Sequence, residues 1–277
     1  MTAKNSVASK LYIALVFIFL YAPMAVMMVF SFNGSDSTYT ISGFSTQWYE
    51  KLFHDSVTMN ALKNTIILAV VSAAIATAMG TMATVGNNSM RNKRLRSATM
   101  SVTNIPMMNP EIVTGISMML LFVFAGRMLG RNNSLGFATI LIAHVTFQLP
   151  YVILSVLPKL RQTDPRIYEA AQDLGCHPLK AFFKVVFPQI LPGIVSGAIM
   201  AFTLSLDDFI ISYFTNGPDF QTLPIHIFSM TKKRVKPDMY ALSTLIFVAI
   251  FVLLILMNIA QAKSEKKQKV RHRDGGI

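Results

Sequence analysis

Cysteine is almost absent from this sequence of 277 residues, in which Cys176 is the single example. One thiol excludes an internal disulfide and a metal site built on a cysteine pair. The neighbouring His177 suggests a Cys/His nucleophile, but side chains that are adjacent along a chain rarely face each other productively. We therefore interpret both residues as loop positions.

The sequence also lacks the short motifs that mark two common classes of enzyme. It contains no G-x-x-x-x-G-K-[ST] phosphate loop, so it cannot hydrolyse ATP by that route, and it contains no H-E-x-x-H zinc site. We expect the chain to have no catalytic residue and to bind no metal and no cofactor of its own.

Charged residues are scarce as well, at 14% of the chain, whereas an ordinary soluble domain has about 25%. Hydrophobic residues make up 53% of the chain and are concentrated in continuous stretches. A helix needs roughly 20 apolar residues to cross the hydrocarbon core of a bilayer. Six stretches satisfy this length: residues 11–32, 64–86, 98–126, 135–158, 185–214 and 239–262. Because these stretches are continuous rather than alternating, the sequence predicts an all-α integral membrane protein with six transmembrane helices.

Three acidic residues interrupt the predicted spans. Glu111 lies in the third span, and Asp207 and Asp208 lie in the fifth, whereas the other four spans contain no Asp, Glu, Lys or Arg. An ionisable residue inside a span costs on the order of 2.5–3.5 kcal/mol on insertion scales, and such residues usually face a cavity or a partner. These three carboxylates are therefore candidate functional groups.

Basic residues predict the orientation, since cytoplasmic loops are enriched in Lys and Arg. With the N-terminus inside, 17 of the 25 basic residues are cytoplasmic: two before the first span, four after the second, five after the fourth and six in the tail, residues 263–277. The basic run at 232–236 falls outside and argues against this topology. The net charge of +12 thus reflects span ends that meet anionic lipid, so we expect contact with the bilayer and no nucleic-acid binding. We interpret the basic tail as a disordered extension.

The longest cytoplasmic segment between spans, residues 159–188, is predicted to form two short helices. Asp164 is a good N-cap and Pro165 a good first helical residue, after which apolar residues recur at helical spacing up to Leu174. Gly175 ends the first helix, and Pro178 begins the second. A helix-turn-helix with apolar faces, attached to a membrane domain, is suited to docking on another protein.

This segment resembles the EAA loop of ABC importer permeases. From residue 169 to residue 188 the sequence reads E-A-A-x3-G-x9-V-x-F-P, where the family pattern reads E-A-A-x3-G-x9-I-x-L-P. Val185 and Phe187 replace isoleucine and leucine, so the apolar character of the docking face is retained.

The resemblance implies a MetI-like importer permease fold, in which both termini are cytoplasmic. It also implies that the EAA loop inserts into a separate ATPase subunit, which would bind ATP and Mg. The coupling residues that it implies are Glu169, Ala170, Ala171, Gly175 and Pro188.

Over nearly its whole length the chain also resembles the permeases of spermidine/putrescine importers of the PotC type. The segments that carry this resemblance are Ser31–Asn33, Trp48-Tyr49, Asn109–Val113, His144–Phe147, Phe202–Asp208 and Thr222–Pro224. Glu111 is a departure, since the family often has aspartate there. The resemblance implies a bacterial inner-membrane complex with a PotB-like permease, two copies of a PotA-like ATPase and an external PotD-like binding protein.

Such a transporter would give the acidic residues in the spans a role. A polyamine carries several ammonium groups, and spaced carboxylates along a wet path would offset their lost hydration one charge at a time. We predict Asp207, Asp208 and Glu111 as residues of this path. Because neighbours on a helix lie about 100° apart, we expect one aspartate to face the path while the other pairs with a neighbouring helix or caps a kink. Glu111 follows Pro110 and has the alternative of serving a broken helix end.

Other interpretations stay open. Permeases for iron and other small solutes share the EAA loop, although an anion importer would show basic groups inside its spans. A multi-spanning protein without a transport function is a further alternative, but it would lack the EAA spacing. We interpret His144 as a hydrogen-bonded packing residue and Trp48 with Tyr49 as aromatic residues at the outer face of the membrane.

Overall fold

The computed structural model describes residues 7–35, 40, 42–130, 134–232 and 237–274. Their regular structure is helical, and the one extended pairing among them is an isolated bridge between Asn33 and Phe44. This confirms the all-α prediction. The helices are α1 (Val7–Ser31), α2 (Gln47–His54), α3 (Ser56–Ser89), α4 (Lys93–Met108), α5 (Glu111–Met128), α6 (Phe137–Gln162), α7 (Pro165–Asp173), α8 (Pro178–Ala181), α9 (Phe187–Asp207), α10 (Ile210–Thr215), α11 (Leu223–Thr231) and α12 (Pro237–Asp274).

Five helices in the described residues are long and apolar enough to cross a membrane. They are Ser9–Ser31, Ser56–Ser89, Glu111–Met128, Phe137–Gln162 and Pro178–Asp207, and a shorter apolar helix covers Asp238–Val252. Each overlaps one of the predicted spans. The total of six spans and their orientation stay predictions, and most of the basic run at 232–236 lies outside the described residues.

The prediction of a continuous third span, residues 98–126, is wrong, because the chain breaks between α4 and α5. Pro110 has no N–H and restricts the preceding residue to extended conformations. Accordingly, Asn109 has φ −79° and ψ 142°, and α5 begins at Glu111.

The fifth span, predicted to run unbroken to residue 214, also breaks. Asp208 has φ −63° and ψ 119°, so α9 ends at Asp207 and the short helix α10 begins three residues later, at Ile210. Unlike the break before α5, the four residues from Asp207 to Ile210 include neither proline nor glycine.

The second helix of the EAA loop differs from the prediction too, since it is not separated from the following span. A π-helical segment, Phe182–Val186, joins α8 directly to α9. Pro188 accounts for this segment, because a proline in a helix lacks the N–H and crowds the carbonyl four residues before it. The Phe187 N–H donates to the carbonyl of Phe182, five residues back, which is the spacing of a π-turn.

The basic tail is helical in its described part, because α12 continues to Asp274. The prediction of a disordered extension is therefore wrong up to that residue. Lysine and arginine supply six of the twelve residues 263–274, and both have high helix propensity. Residues 275–277 lie outside the described part.

The chain divides into two compact units, of which the first comprises residues 1–59 and 227–254. In this unit α2 is tied to the end of α1. The Trp48 indole N–H donates to the Asn33 carbonyl oxygen at 2.6 Å, and the Tyr49 hydroxyl lies 2.7 Å from Ser31 Oγ. Trp48 is buried by these contacts, so the protein itself covers a ring that we expected at the membrane face.

The second unit comprises residues 60–226 and 255–277 and is built on the packing of α6 with α9. Glycines permit this close approach. A Cβ atom added at Gly193 of α9 would lie 2.9 Å from the Ser155 carbonyl oxygen, and one added at Gly80 of α3 would lie 2.7 Å from Val152 Cγ1. The helices α3, α6 and α9 therefore meet around Val152, which is fully buried.

Candidate functional site

Two of the three predicted carboxylates lie at helix breaks and are exposed. Glu111 is the first residue of α5, and Asp207 is the last residue of α9. The two breaks belong to neighbouring elements, because α5 packs against α10, the helix that follows Asp207. The last carbonyl groups of α4 and α9 have no partner within their own helices. Carboxylates beside such carbonyls form a set of oxygen ligands suited to a cation.

Asp208, the third predicted carboxylate, is buried, with its side chain 4% exposed. Its Oδ1 accepts a hydrogen bond from the Ile211 N–H at 3.2 Å, and its Oδ2 accepts one from the Ser212 N–H at 2.7 Å. The carboxylate thereby binds backbone N–H groups in the first turn of α10 that have no partner within the helix.

The imidazole of His144, on α6, completes the surroundings of Asp208. His144 Nε2 lies 3.3 Å from Asp208 Oδ2 and 2.9 Å from Ser212 Oγ, and Nδ1 lies 2.8 Å from Ser205 Oγ. The ring is 1% exposed. The structure thus confirms that His144 is a hydrogen-bonded packing residue.

The hydrogen bonds continue from this imidazole through two more helices. Ser72 Oγ of α3 donates to Ser205 Oγ of α9 at 3.2 Å, and Gln148 Nε2 of α6 donates to Ser72 Oγ at 3.0 Å. These residues are far apart in the sequence, and we did not predict their contact. The sequence feature that could have indicated this contact is the presence of polar side chains inside otherwise apolar spans.

The two adjacent aspartates therefore differ as we expected, with one exposed and one paired. The cause is not the angle of about 100° between neighbours on one helix, because Asp208 lies beyond the end of α9. An extended residue at the break, and not the angle between helix neighbours, separates the two side chains.

Tyr151 of α6 is a further aromatic residue that we did not predict. It is partly buried, and its ring centroid lies 5.5 Å from that of Phe147. Ammonium groups bind favourably to aromatic faces.

The first helix of the EAA loop has the predicted boundaries. Asp164 caps α7 by accepting a hydrogen bond from the Arg166 N–H at 3.0 Å. At the other end Gly175 has φ +80°, the left-handed conformation that favours glycine. The Gly175 N–H donates to Gln172 O and the Cys176 N–H to Ala171 O, which is the hydrogen-bond pattern of a Schellman motif.

Large apolar side chains of this loop are exposed. Leu174 is 88% exposed, and Ile167, Leu179 and Phe183 are exposed as well. Glu169 and Ala170 are also exposed, whereas Tyr168 packs against the core of the second unit. Ile167 and Leu174 lie outside the apolar helices that could cross the membrane, and exposed apolar side chains at such positions are typical of a surface that contacts another protein.

A groove of about 1030 Å³ lies between α3, the EAA loop and α9. Its lining includes Val85, Tyr168, Phe182 and Phe202, and none of the lining residues is charged. Carboxylates that could replace the hydration of a cation are absent from it, so we do not assign the path to this groove.

Known proteins resemble this chain over most of its length. The family described as binding-protein-dependent transport system inner membrane component matches residues 76–270. The putrescine transport system permease protein PotI of Escherichia coli K12 is 39% identical over 255 residues, which cover 92% of this chain and 90% of that protein. The spermidine/putrescine permease PotC of Haemophilus influenzae is 35% identical over 249 residues, with 90% and 94% covered.

Solved structures share the fold at low sequence identity. A chain of a bacterial ABC transporter that imports the acidic polysaccharide alginate superposes with a TM-score of 0.72 and 17% identity, covering 94% of both chains. A chain of the MetNI methionine ABC transporter superposes with a TM-score of 0.59 and 17% identity, covering 79% of this chain and 97% of that one.

Proposed function

The chain belongs to the family of binding-protein-dependent transport system inner membrane components, and from this membership we propose that it is the permease subunit of an ATP-driven importer of polyamines. The observation that carries the substrate class is the identity of 39% and 35% with a putrescine permease and a spermidine/putrescine permease over about nine tenths of the chain. The exposed carboxylates at the helix breaks have the charge that such a substrate requires.

In this proposal Asp207 and Glu111 contact the substrate during its passage. Each is exposed, and each lies at a break where backbone carbonyls are free to contact an ammonium group. Asp208 is removed from direct contact in this proposal, because two backbone amides and His144 already surround its carboxylate.

The EAA loop would dock on a separate ATPase subunit. The exposed apolar residues of α7 and α8 support this role, as does the match of Glu169, Ala170, Ala171, Gly175 and Pro188 to the family pattern. The π-segment at Phe182–Val186 connects α8 to α9 without a loop. A displacement of the docked loop would therefore reach Asp207 through a single continuous helix.

The remaining partners follow from the type of transporter. A second, PotB-like permease would supply the other half of the path, a PotA-like ATPase dimer would hydrolyse ATP, and a PotD-like binding protein would deliver the substrate from outside. The complex would lie in the inner membrane of a bacterium.

Uptake in a strain that lacks this gene tests the proposal. We expect the rate of uptake of labelled putrescine, spermidine or both to fall at least about tenfold and to recover when the gene is restored. Uptake of iron should not change. Unchanged polyamine uptake together with lost iron uptake would favour the alternative, a permease for another cation.

A further inference from the structure

We propose that His144, Ser205 and Asp208 form a positioning cluster that fixes the helix break after α9 and thereby presents the side chain of Asp207 at the protein surface. The inference gives a role to buried residues that do not touch the substrate. It rests on the proposed role of Asp207 in cation passage, but its test measures the exposure of position 207 directly.

No proline or glycine explains this break. The break between α4 and α5 has Pro110, which cannot continue a helix. Asp208, Phe209 and Ile210, in contrast, are residues that a helix tolerates, so α9 would be free to continue. The hydrogen bonds of the Asp208 carboxylate, two from the start of α10 and one to His144 of α6, therefore hold Asp208 at ψ 119°.

The cluster supplies those hydrogen bonds. A carboxylate buried inside a membrane protein is costly unless it is paired, and Asp208 is paired with the Ile211 N–H, the Ser212 N–H and His144 Nε2. All three contacts depend on the extended conformation of Asp208. If Asp208 became helical, its carboxylate would lose these partners, and the first turn of α10 would lose its cap.

The hydrogen bonds of the cluster extend over three helices. Gln148 donates to Ser72, and Ser72 donates to Ser205. Ser205 Oγ lies 2.8 Å from His144 Nδ1, and His144 Nε2 lies 3.3 Å from Asp208 Oδ2. The position of Asp208 is therefore tied to α3, α6 and α9, which pack together around Val152.

The consequence for Asp207 follows from the end of α9. Asp207 is the last helical residue and is exposed, whereas the side chain of Asp208 is buried. The same break frees the carbonyl groups of the last turn of α9. Loss of the cluster would let the helix continue, which would turn Asp207 onto a helix face and satisfy those carbonyls.

A cysteine reporter tests the proposal in the complete transporter. Asp207→Cys in a Cys176→Ser background gives a single thiol, and its rate of reaction with a positively charged methanethiosulfonate in isolated membranes reports its exposure. We expect His144→Ala and Ser205→Ala to lower this rate about fivefold to tenfold, the scale of one hydrogen bond. Ser205→Ala removes only a hydroxyl, so it decides the question if the His144 variant does not accumulate in the membrane.

Two controls separate positioning from a general loss of structure. Thr203→Ala changes a residue one turn earlier on α9 whose hydroxyl bonds only to carbonyls of its own helix, so the reaction rate should not change. A cysteine at exposed Asp219 should react at the same rate with and without the His144 substitution. Equal reaction rates at position 207 in the parent and in both cluster variants would overturn the proposal.

The outcome also separates this inference from the proposed function. If Asp207→Asn transports normally while labelling at 207 depends on the cluster, the positioning stands and the role of Asp207 in the path fails. If Asp207→Asn abolishes uptake while the labelling rate at position 207 is the same with and without the cluster, the role of Asp207 in the path is supported and the positioning proposal is wrong.

Discussion

At the scale of single residues, two adjacent aspartates have opposite surroundings. Asp207 is exposed at the end of a helix, whereas Asp208 is buried against His144 and two backbone amides. Their sequence neighbours are nearly the same, so the difference arises from the break between them. The exposed carboxylates of Asp207 and Glu111 are the ones available to a passing cation.

Neutralising these exposed carboxylates should stop transport without disturbing the fold. Asp207→Asn and Glu111→Gln keep the side-chain volume and remove the charge, and neither carboxylate is buried. We expect polyamine uptake to fall at least about tenfold, a loss that corresponds to about 1.4 kcal/mol, at unchanged membrane levels. Uptake of labelled spermidine and putrescine, with immunoblots of the membranes, measures both quantities.

Asp219→Asn is the matched control for that pair, since Asp219 is an exposed aspartate outside the helices. It should transport like the parent protein. If Asp207→Asn and Glu111→Gln also transport like the parent, the acidic path is excluded while the permease assignment remains.

At the scale of helices, the second unit depends on close contacts at glycine. Gly80 and Gly193 lie where an added Cβ would be within 3.0 Å of a neighbouring helix, whereas Gly86 has open space around its Cβ position. These contacts bring α3, α6 and α9 together. The EAA loop lies directly between α6 and α9 in the chain, so its movement acts on this packed group.

Alanine substitutions should lower the stability of the protein at the packed positions, Gly80 and Gly193, but not at Gly86. Gly80→Ala and Gly193→Ala force helices apart, and we expect each to destabilise the protein by about 1–3 kcal/mol. Gly86→Ala, on the same helix as Gly80, should be neutral or slightly stabilising because alanine has the higher helix propensity. Thermal unfolding of the purified variants in detergent compares them, and equal destabilisation of all three would contradict the packing described here.

Substitutions in the EAA loop should impair coupling to the ATPase without affecting insertion of the membrane helices. Glu169→Lys reverses the charge on the exposed face of α7, and Gly175→Pro is incompatible with φ +80° at the turn. We expect both variants to insert normally, to lose copurification with the ATPase and to lose transport.

Gln162→Lys serves as the control, since it places a lysine at an exposed position at the end of α6, outside the family motif. It should copurify with the ATPase as the parent does. Normal ATPase binding and transport by both loop variants would show that the coupling assignment is wrong.

At the scale of the whole molecule, the remaining question is which side of the membrane each loop faces. The distribution of basic residues predicts cytoplasmic termini and a cytoplasmic EAA loop. Cys176 lies in the turn between α7 and α8, is partly exposed and is the only thiol in the sequence. It is therefore a natural reporter of orientation.

A membrane-impermeant maleimide should label Cys176 in inside-out vesicles and not in intact cells. Labelling should decrease when the ATPase subunits are present, because they would cover the loop. In a Cys176→Ser background, Asp219→Cys should show the opposite pattern, since its loop is predicted outside. Labelling of Cys176 from outside intact cells would reverse the proposed orientation.

The sequence by itself determined the features that depend on composition and local pattern. Long apolar stretches require helices in a membrane, and the N-cap Asp164, the turn glycine Gly175 and the EAA spacing follow from local rules. The break at Pro110 also follows from a local rule, because proline interrupts the helix in which it lies. The prediction of a continuous third span did not apply that rule.

Only the tertiary structure decided what depends on contacts between distant residues. The break after Asp207 contains neither proline nor glycine. Asp208 caps α10 there and is paired with His144 of α6, whose ring also contacts Ser205 of α9. A burial pattern along one helix cannot reveal a partner about sixty residues away. For that reason the sequence predicts both aspartates as path residues. The packing of α6, α9 and α10 determines that Asp207 is the exposed one.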